Sequence, residues 1–275
     1  MKRSLIAVLL CACTGTVIAQ EKPKPAKDTL VVITADTTKK DKHNRITIEF
    51  GKKDSADYDR DEKKHRPESR FSAQLTIARM DLGLSTYLDK GSFTLSPENS
   101  YLEYKTWETS NFGLEIFQMG YRFDNYFKIY LAAGFDWNHI RLKENITFQK
   151  NQPTLTYVVD TIEFDKNRFS SQYLRVPLSF QFRTKDDQRG NKVYFVLGPE
   201  VGFLLNGKVK QISSERGKEK FKDDYNFNPF RYGAFARIGY GDFGVYTKYY
   251  FNDVFADGQG PVDFKNLSFG FMLGF

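Results

Sequence analysis

From residue 71 to the carboxyl terminus, apolar and polar side chains alternate with a period of two, in segments separated by turn-forming residues. This is the pattern of half-buried β-strands. Eight such segments are predicted, at 72–85, 109–123, 126–142, 171–183, 192–205, 229–240, 243–251 and 265–275. In the last, Leu267, Phe269, Phe271, Leu273 and Phe275 project to one side, while Ser268, Gly270, Met272 and Gly274 project to the other. The fourth segment sets Leu174, Val176, Leu178, Phe180 and Phe182 against Tyr173, Arg175, Pro177, Ser179 and Gln181. The fifth sets Phe195, Leu197, Pro199, Val201, Phe203 and Leu205 against Tyr194, Gly198, Glu200 and Gly202.

The connections alternate as well. Asp124-Asn125, the stretch TKDDQRGN and Gly241-Asp242 make three short turns, and the other four connections are long. Short turns at one end and long loops at the other are the habit of outer-membrane barrels, which keep the turns in the periplasm. The expected fold is therefore all-β: an eight-stranded antiparallel up-and-down transmembrane β-barrel over 71–275. With an even strand number, both ends of the barrel chain face the periplasm. The apolar faces meet lipid, and backbone polar groups pair in a closed ladder because hydrocarbon offers no partners.

The same alternation decides where charge goes. A Lys or Arg at the lipid midplane costs about 2–4 kcal/mol, so Arg175, Glu200, Arg237 and Lys248, with Glu115 and Asp136, are expected to converge in the lumen and pair there. Eight strands leave an interior about wide enough for side chains to fill, which argues against a general diffusion pore. Pro177 and Pro199 suggest local bulges, because proline interrupts a ladder. Tyr121, Phe123, Tyr126, Phe127, Tyr240, Phe243, Tyr249, Tyr250 and Phe251, near segment ends, read as interfacial girdles.

The segment before residue 71 is different in kind. Residues 1–19 have Lys2 and Arg3, an apolar run and Val17-Ile18-Ala19 ahead of Gln20, the pattern of an export signal. Its apolar run is far shorter than the roughly 20 residues of a spanning helix. Residues 20–70 are charged, poor in aromatics and punctuated by Pro23, Pro25 and Pro67, which predicts a polar periplasmic linker. Within it, Leu30–Thr34 and Arg45–Phe50 alternate and predict a small hairpin, one that needs a further surface to be stable. Both cysteines, Cys11 and Cys13, lie in the leader, so cleavage leaves no thiol. A rival reading acylates Cys13 as a lipoprotein, although Cys11 fits that signal poorly.

The formal net charge is +7, which raises the question of nucleic acid. The leader carries +2, residues 21–70 carry +3 and residues 71–275 carry +2. The excess is diffuse and the chain reads as exported, so no nucleic-acid partner is expected. No metal-ligand spacing, phosphate loop or dinucleotide fingerprint is present, and no cofactor is expected. Of the three histidines only His139 lies in the barrel; Ser170, Ser171 and Glu144 near it permit a Ser/His/Glu arrangement without indicating one. The reading is non-enzymatic, with no catalytic residue assigned. The stretch SSERGKEKFKDDYNFNP between the fifth and sixth segments is long, charged and suited to contacting a partner.

Taken in order, YLRVPLSFQF, VYFVLGPEVGFLLNGKVKQ, DDYNFNPFRYGAFARIGY, VYTKYYFNDVFADGQGP and LSFGFMLGF resemble the PorT-like outer-membrane β-barrel proteins of the Bacteroidetes. The resemblance runs from about residue 71 to the end. It implies an eight-stranded barrel in the outer-membrane lipid, inserted by the outer-membrane assembly machinery, with Leu267, Phe269, Phe271, Leu273 and Phe275 as the assembly signal. The family's association with secretion adds an accessory role to the reading of the residues themselves, which is a structural or interaction protein with a periplasmic or surface protein partner, a small porin or ligand-binding barrel being the alternative and a lipid-modifying enzyme centred on His139 a third reading. Asp28-Thr29-Leu30, Asp36-Thr37-Thr38, Asp54-Ser55-Ala56 and Asp160-Thr161-Ile162 are similar to the O-glycosylation triplets of such bacteria.

Overall fold

A computed structural model describes residues 70–185 and 191–274, together with the backbone of residues 33–34 and 47–48. The expected export signal, most of the expected linker, three of the four candidate glycosylation triplets and Phe275 lie outside the described residues.

Eight long strands form the body: β1 (Phe71–Asp89), β2 (Ser110–Arg122), β3 (Phe127–Arg141), β4 (Lys166–Arg183), β5 (Val193–Ser213), β6 (Phe230–Tyr240), β7 (Phe243–Tyr250) and β8 (Phe264–Gly274). Each pairs antiparallel with its neighbours in sequence, and β8 pairs with β1 from Phe264↔Asp89 to Gly274↔Arg79, so the sheet closes on itself. The ring is an up-and-down barrel.

Closure depends on two glycines at one register position, Gly83 and Gly270. A Cβ on Gly83 would stand 2.1 Å from the carbonyl oxygen of Phe269, and one on Gly270 would stand 2.3 Å from the Cα of Gly83. Strands β1 and β8 therefore approach more closely here than any side chain allows.

The apolar faces point out. Ile238, Phe271, Phe243 and Leu205 are each about half exposed, an inversion of the soluble pattern that makes sense only where hydrocarbon covers them. At the short-turn end Tyr121, Phe123, Phe127 and Phe182 form a chain of rings with centroids 4.9–5.4 Å apart, as an interfacial girdle requires. The turn beneath them is fastened by Asp124, whose Oδ1 accepts from the amides of Tyr126 and Phe127 at 2.7 Å each.

Three expectations need correction. Tyr250 is not a girdle residue: it is buried in the lumen, where its hydroxyl donates to Glu200, because it shares the parity of Lys248 and Tyr246. Pro177 and Pro199 do not sit at bulges. The register shifts lie between Leu75 and Arg79, Glu115 and Phe117, and Gln172 and Tyr173, and the prolines remain in unshifted ladders, as with Ala234↔Pro199 and Pro177↔Glu200. Finally, β4 and β5 run on past the expected 171 and 205, to Lys166 and Ser213. Above the hydrocarbon their outward positions turn from apolar to charged, which ends the membrane pattern without ending the strand.

Three of the long loops carry structure of their own, the first of them the short 3-10 helices Pro97–Leu102 and Thr106–Glu108. Gly217–Asp223 folds back along β5 as an additional strand, and Ile146–Phe148 pairs with Tyr157–Val159. Under the loops, aromatic and aliphatic side chains stopper the barrel mouth: Phe169 stacks on Phe227 at 4.7 Å, Phe227 on Phe255 at 5.4 Å, and Tyr87 on Phe264 at 4.9 Å. At the opposite end β1 extends beyond β8. There Thr47 and Ile48 pair with Gln74 and Ala73, while Ile33–Thr34 pairs with Thr47–Ile48. This is the further surface that the small hairpin needs.

Candidate functional site

The middle of the lumen holds five cations, Arg79, Arg175, Arg231, Arg237 and Lys248, and four carboxylates, Asp81, Glu115, Asp136 and Glu200, all buried. The strand pleat aims them inward, since each occupies the parity opposite to the lipid-facing residues. The six residues expected in the lumen are all here; Arg79, Asp81 and Arg231 join them.

Arg175 is the hub. It donates from Nη1 to Asp81 at 2.7 Å and from Nη2 to Glu115, and lies 3.7 Å from both Asp136 and Glu200. Arg237 donates to Glu115 at 2.7 Å, and Arg79 reaches the same carboxylate at 3.1 Å and the Tyr130 hydroxyl at 3.0 Å. Lys248 spans Asp136 at 2.9 Å and Asp81 at 3.0 Å. Arg231 donates to Asp136 at 2.6 Å, with its guanidinium between the rings of Tyr173 and Tyr250 at 3.9 and 4.1 Å. Asn111 ties in the remainder, donating to Asp136 at 3.1 Å and accepting from Tyr246 at 2.7 Å. Ions removed from water are tolerated only when paired and hydrogen-bonded in this way.

Above the network lies the aromatic stopper, and below it Tyr130, Tyr194, Val196, Phe235 and Met272 pack together. A cavity of about 560 Å³ opens at the short-turn end, lined by residues that include Arg79, Gln118, Arg183, Lys192 and Asp242. It is a cup rather than a channel, because the packed side chains close its inner end.

His139 and Ser170 are direct partners across the β3–β4 ladder, yet neither His139 Nδ1 nor Ser170 Oγ makes a hydrogen bond. Glu144 is exposed in the following loop. The base–nucleophile contact of a hydrolytic triad is not formed. Among the described residues no group of three or more His, Cys, Asp or Glu is placed to hold a metal ion. No helix among them is long and apolar enough to cross a membrane. Asp160-Thr161-Ile162 lies in the loop between β3 and β4, with Asp160 accepting from Thr147 and Arg216.

A closed eight-stranded ring with lipid-compatible outer faces and a paired ionic interior defines an integral outer-membrane β-barrel. The chain belongs to the outer membrane protein beta-barrel domain family, whose model matches residues 83–254. No curated protein matches it. Among solved structures it is similar to Ail, the attachment invasion locus protein of Yersinia pestis, at 15% identity and a TM-score of 0.32, covering 72% of this chain and 95% of that one. A second Ail structure, in complex with the heparin analogue sucrose octasulfate, matches at 14% identity and a TM-score of 0.31 with the same coverage.

Proposed function

We propose that this barrel is a non-conducting outer-membrane interaction component, which holds a rigid set of outer loops against a protein partner. The observation that carries this reading is the strand Tyr157–Val159. Tyr157, Val158 and Val159 are all exposed, Val159 at 70%, and among the described residues this strand pairs with Ile146–Phe148 alone. An apolar strand with an open edge invites another chain to add to it. Its base is firm, because Tyr157 stacks on Tyr101 at 4.7 Å and the loops rest on the aromatic stopper.

On this reading residues 1–19 direct export, residues 20–70 form the periplasmic linker, and the alternating end of β8 through Phe275 is the signal for the assembly machinery. The resemblance to PorT-like barrels favours an accessory role in secretion. A photo-crosslinker placed at Val158 in intact cells should trap a defined protein, and Val158→Asp should abolish capture. Recovery of nothing specific from Val158 or from the 206–228 segment would remove the reading.

A further inference from the structure

Outside the barrel, just above its lipid-facing belt, four adjacent strands carry a basic face. Residues directly opposite in an antiparallel ladder share a side. The register therefore lays out one row as His139–Ser170–Lys208–Lys222 and the next, farther from the membrane, as Arg141–Arg168–Lys210–Lys220. Neither row contains an acid. Arg141 is paired with Glu108, but among the described residues no carboxylate pairs with Arg168, Lys208, Lys210, Lys220 or Lys222. Partial burial, and after it the charges of Lys220, Arg168, Lys222 and Lys218, hold the Lys208 ammonium below the usual lysine range.

This face is hollowed. A cavity of about 300 Å³ is lined by the whole of the first row, by Arg168 of the second, and by Trp137, Ser171, Gln172 and Asn206. Three buried polar atoms of its lining lack any hydrogen-bond partner: His139 Nδ1, Arg168 Nε and Ser170 Oγ. Ser170 is only 5% exposed. A buried hydroxyl and the buried Nε of a half-buried guanidinium, both unpaired beside uncompensated lysines, form a donor set that lacks its acceptor.

The position of the cavity says what that acceptor belongs to. On its membrane side, Trp137 packs on Phe112 at 5.3 Å and Phe135 at 5.7 Å, and the next outward row is Phe135–Leu174–Phe203–Phe230. With a rise of about 3.4 Å per residue, the histidine row lies only about 14 Å along the strand from those lipid-facing rings, and less than that in height because the strands tilt. We infer that this cavity binds the phosphate-bearing headgroup of an outer-leaflet lipid, with Arg168, Lys208 and Lys222 neutralising the phosphate, Ser170 donating to it, and the acyl chains lying along the belt below.

The test is native mass spectrometry of the full-length barrel, delipidated in neutral detergent and titrated with diphosphorylated lipid A, its dephosphorylated counterpart and inorganic phosphate. A saturable one-to-one adduct is expected with the diphosphorylated lipid, at least tenfold tighter than with the dephosphorylated form. Arg168→Gln, Lys208→Gln and Lys222→Gln together should weaken it at least tenfold, while Lys90→Gln with Lys265→Gln, on another part of the rim, should not. Ser170→Ala, which leaves the charges in place, should weaken it severalfold. Equal binding of both lipids, or of the wild type and the triple variant, would overturn the assignment. So would inorganic phosphate competing at the lipid's own concentration, which would point to a soluble anion instead.

Discussion

Arg175 Nη1 lies 2.7 Å from Asp81 Oδ2 across the lumen, joining strands that do not pair with one another. Both side chains are almost wholly buried. The bond is a strut as well as an ion pair, since Arg175 also donates to Glu115 on β2. Arg175→Ala takes one charged partner from each of two carboxylates and leaves Lys248 with Asp81 and Arg237 and Arg79 with Glu115; breaking a buried pair from one side costs about 3–5 kcal/mol, and the remaining partners hold the loss to the lower end of that range. The expected outcome is a marked fall in the urea midpoint of the barrel in detergent. Arg175→Lys, which keeps one cation between Asp81 and Glu115, should lose less, whereas a midpoint unchanged by Arg175→Ala would mean that Arg175 contributes no stability.

The same network bears on conduction. Charged side chains fill the section of the barrel between two apolar layers, so ions meet packed groups rather than water. Purified protein in planar bilayers should show no steady unit conductance. A steady conductance that shifts on Arg237→Ala would place an open path through the lumen.

Much of this was legible from side-chain parity. The alternation around Arg175, Arg237 and Lys248 puts each opposite to apolar neighbours, and the structure brings all three together. Asp81 carried the same signal, flanked by Met80 and Leu82, and Arg231 shares the parity of Arg237. Neither stands out in the sequence, because a lone charge in a strand looks solvated until closure gives it a lumen. Tyr250 was misplaced for the opposite reason: aromatic content at a strand end outweighed its parity. The outer extensions of β4 and β5 were hidden because alternation of charge against charge has no hydrophobic contrast. Basic residues such as Lys208, Lys210 and Lys220 form a face only through cross-strand register, which no single segment displays.

Closure makes its own prediction. Gly83 and Gly270 face each other where β1 meets β8. A methyl group at either position collides with backbone, at 2.1 Å from the Phe269 oxygen or 2.3 Å from the Gly83 Cα, and no flexible side chain can yield. Gly83→Val or Gly270→Val should leave the hydrophobic pattern intact and prevent the seam from zipping. The folded, heat-modifiable band on gels of membrane extracts should fall severalfold. Normal yield of the folded form from Gly83→Val would show that the strands can separate there without loss.

The first long loop is anchored by one carboxylate, which makes its order depend on pH. Asp89 Oδ2 accepts from the Ser96 amide at 2.7 Å, the Ser96 hydroxyl at 2.6 Å and Asn99 Nδ2 at 3.0 Å. Burial opposes its ionisation, but these bonds and the nearby Lys90 prevail and hold it below the usual carboxylate range. A lowered folded pKa means that the carboxylate's contribution is fully present above the unfolded value of about 3.9. It is lost as pH falls through the still lower folded pKa. Exchange of the Ser96 amide, corrected for intrinsic rate, should therefore be flat from pH 7 to 5 and accelerate only in stronger acid. Asp89→Asn leaves a neutral acceptor in place of a charged one, a loss of about 1 kcal/mol. It should raise Ser96 exchange about fivefold at neutral pH and abolish the acid step. An acid step that survives in Asp89→Asn would assign the anchor to another group.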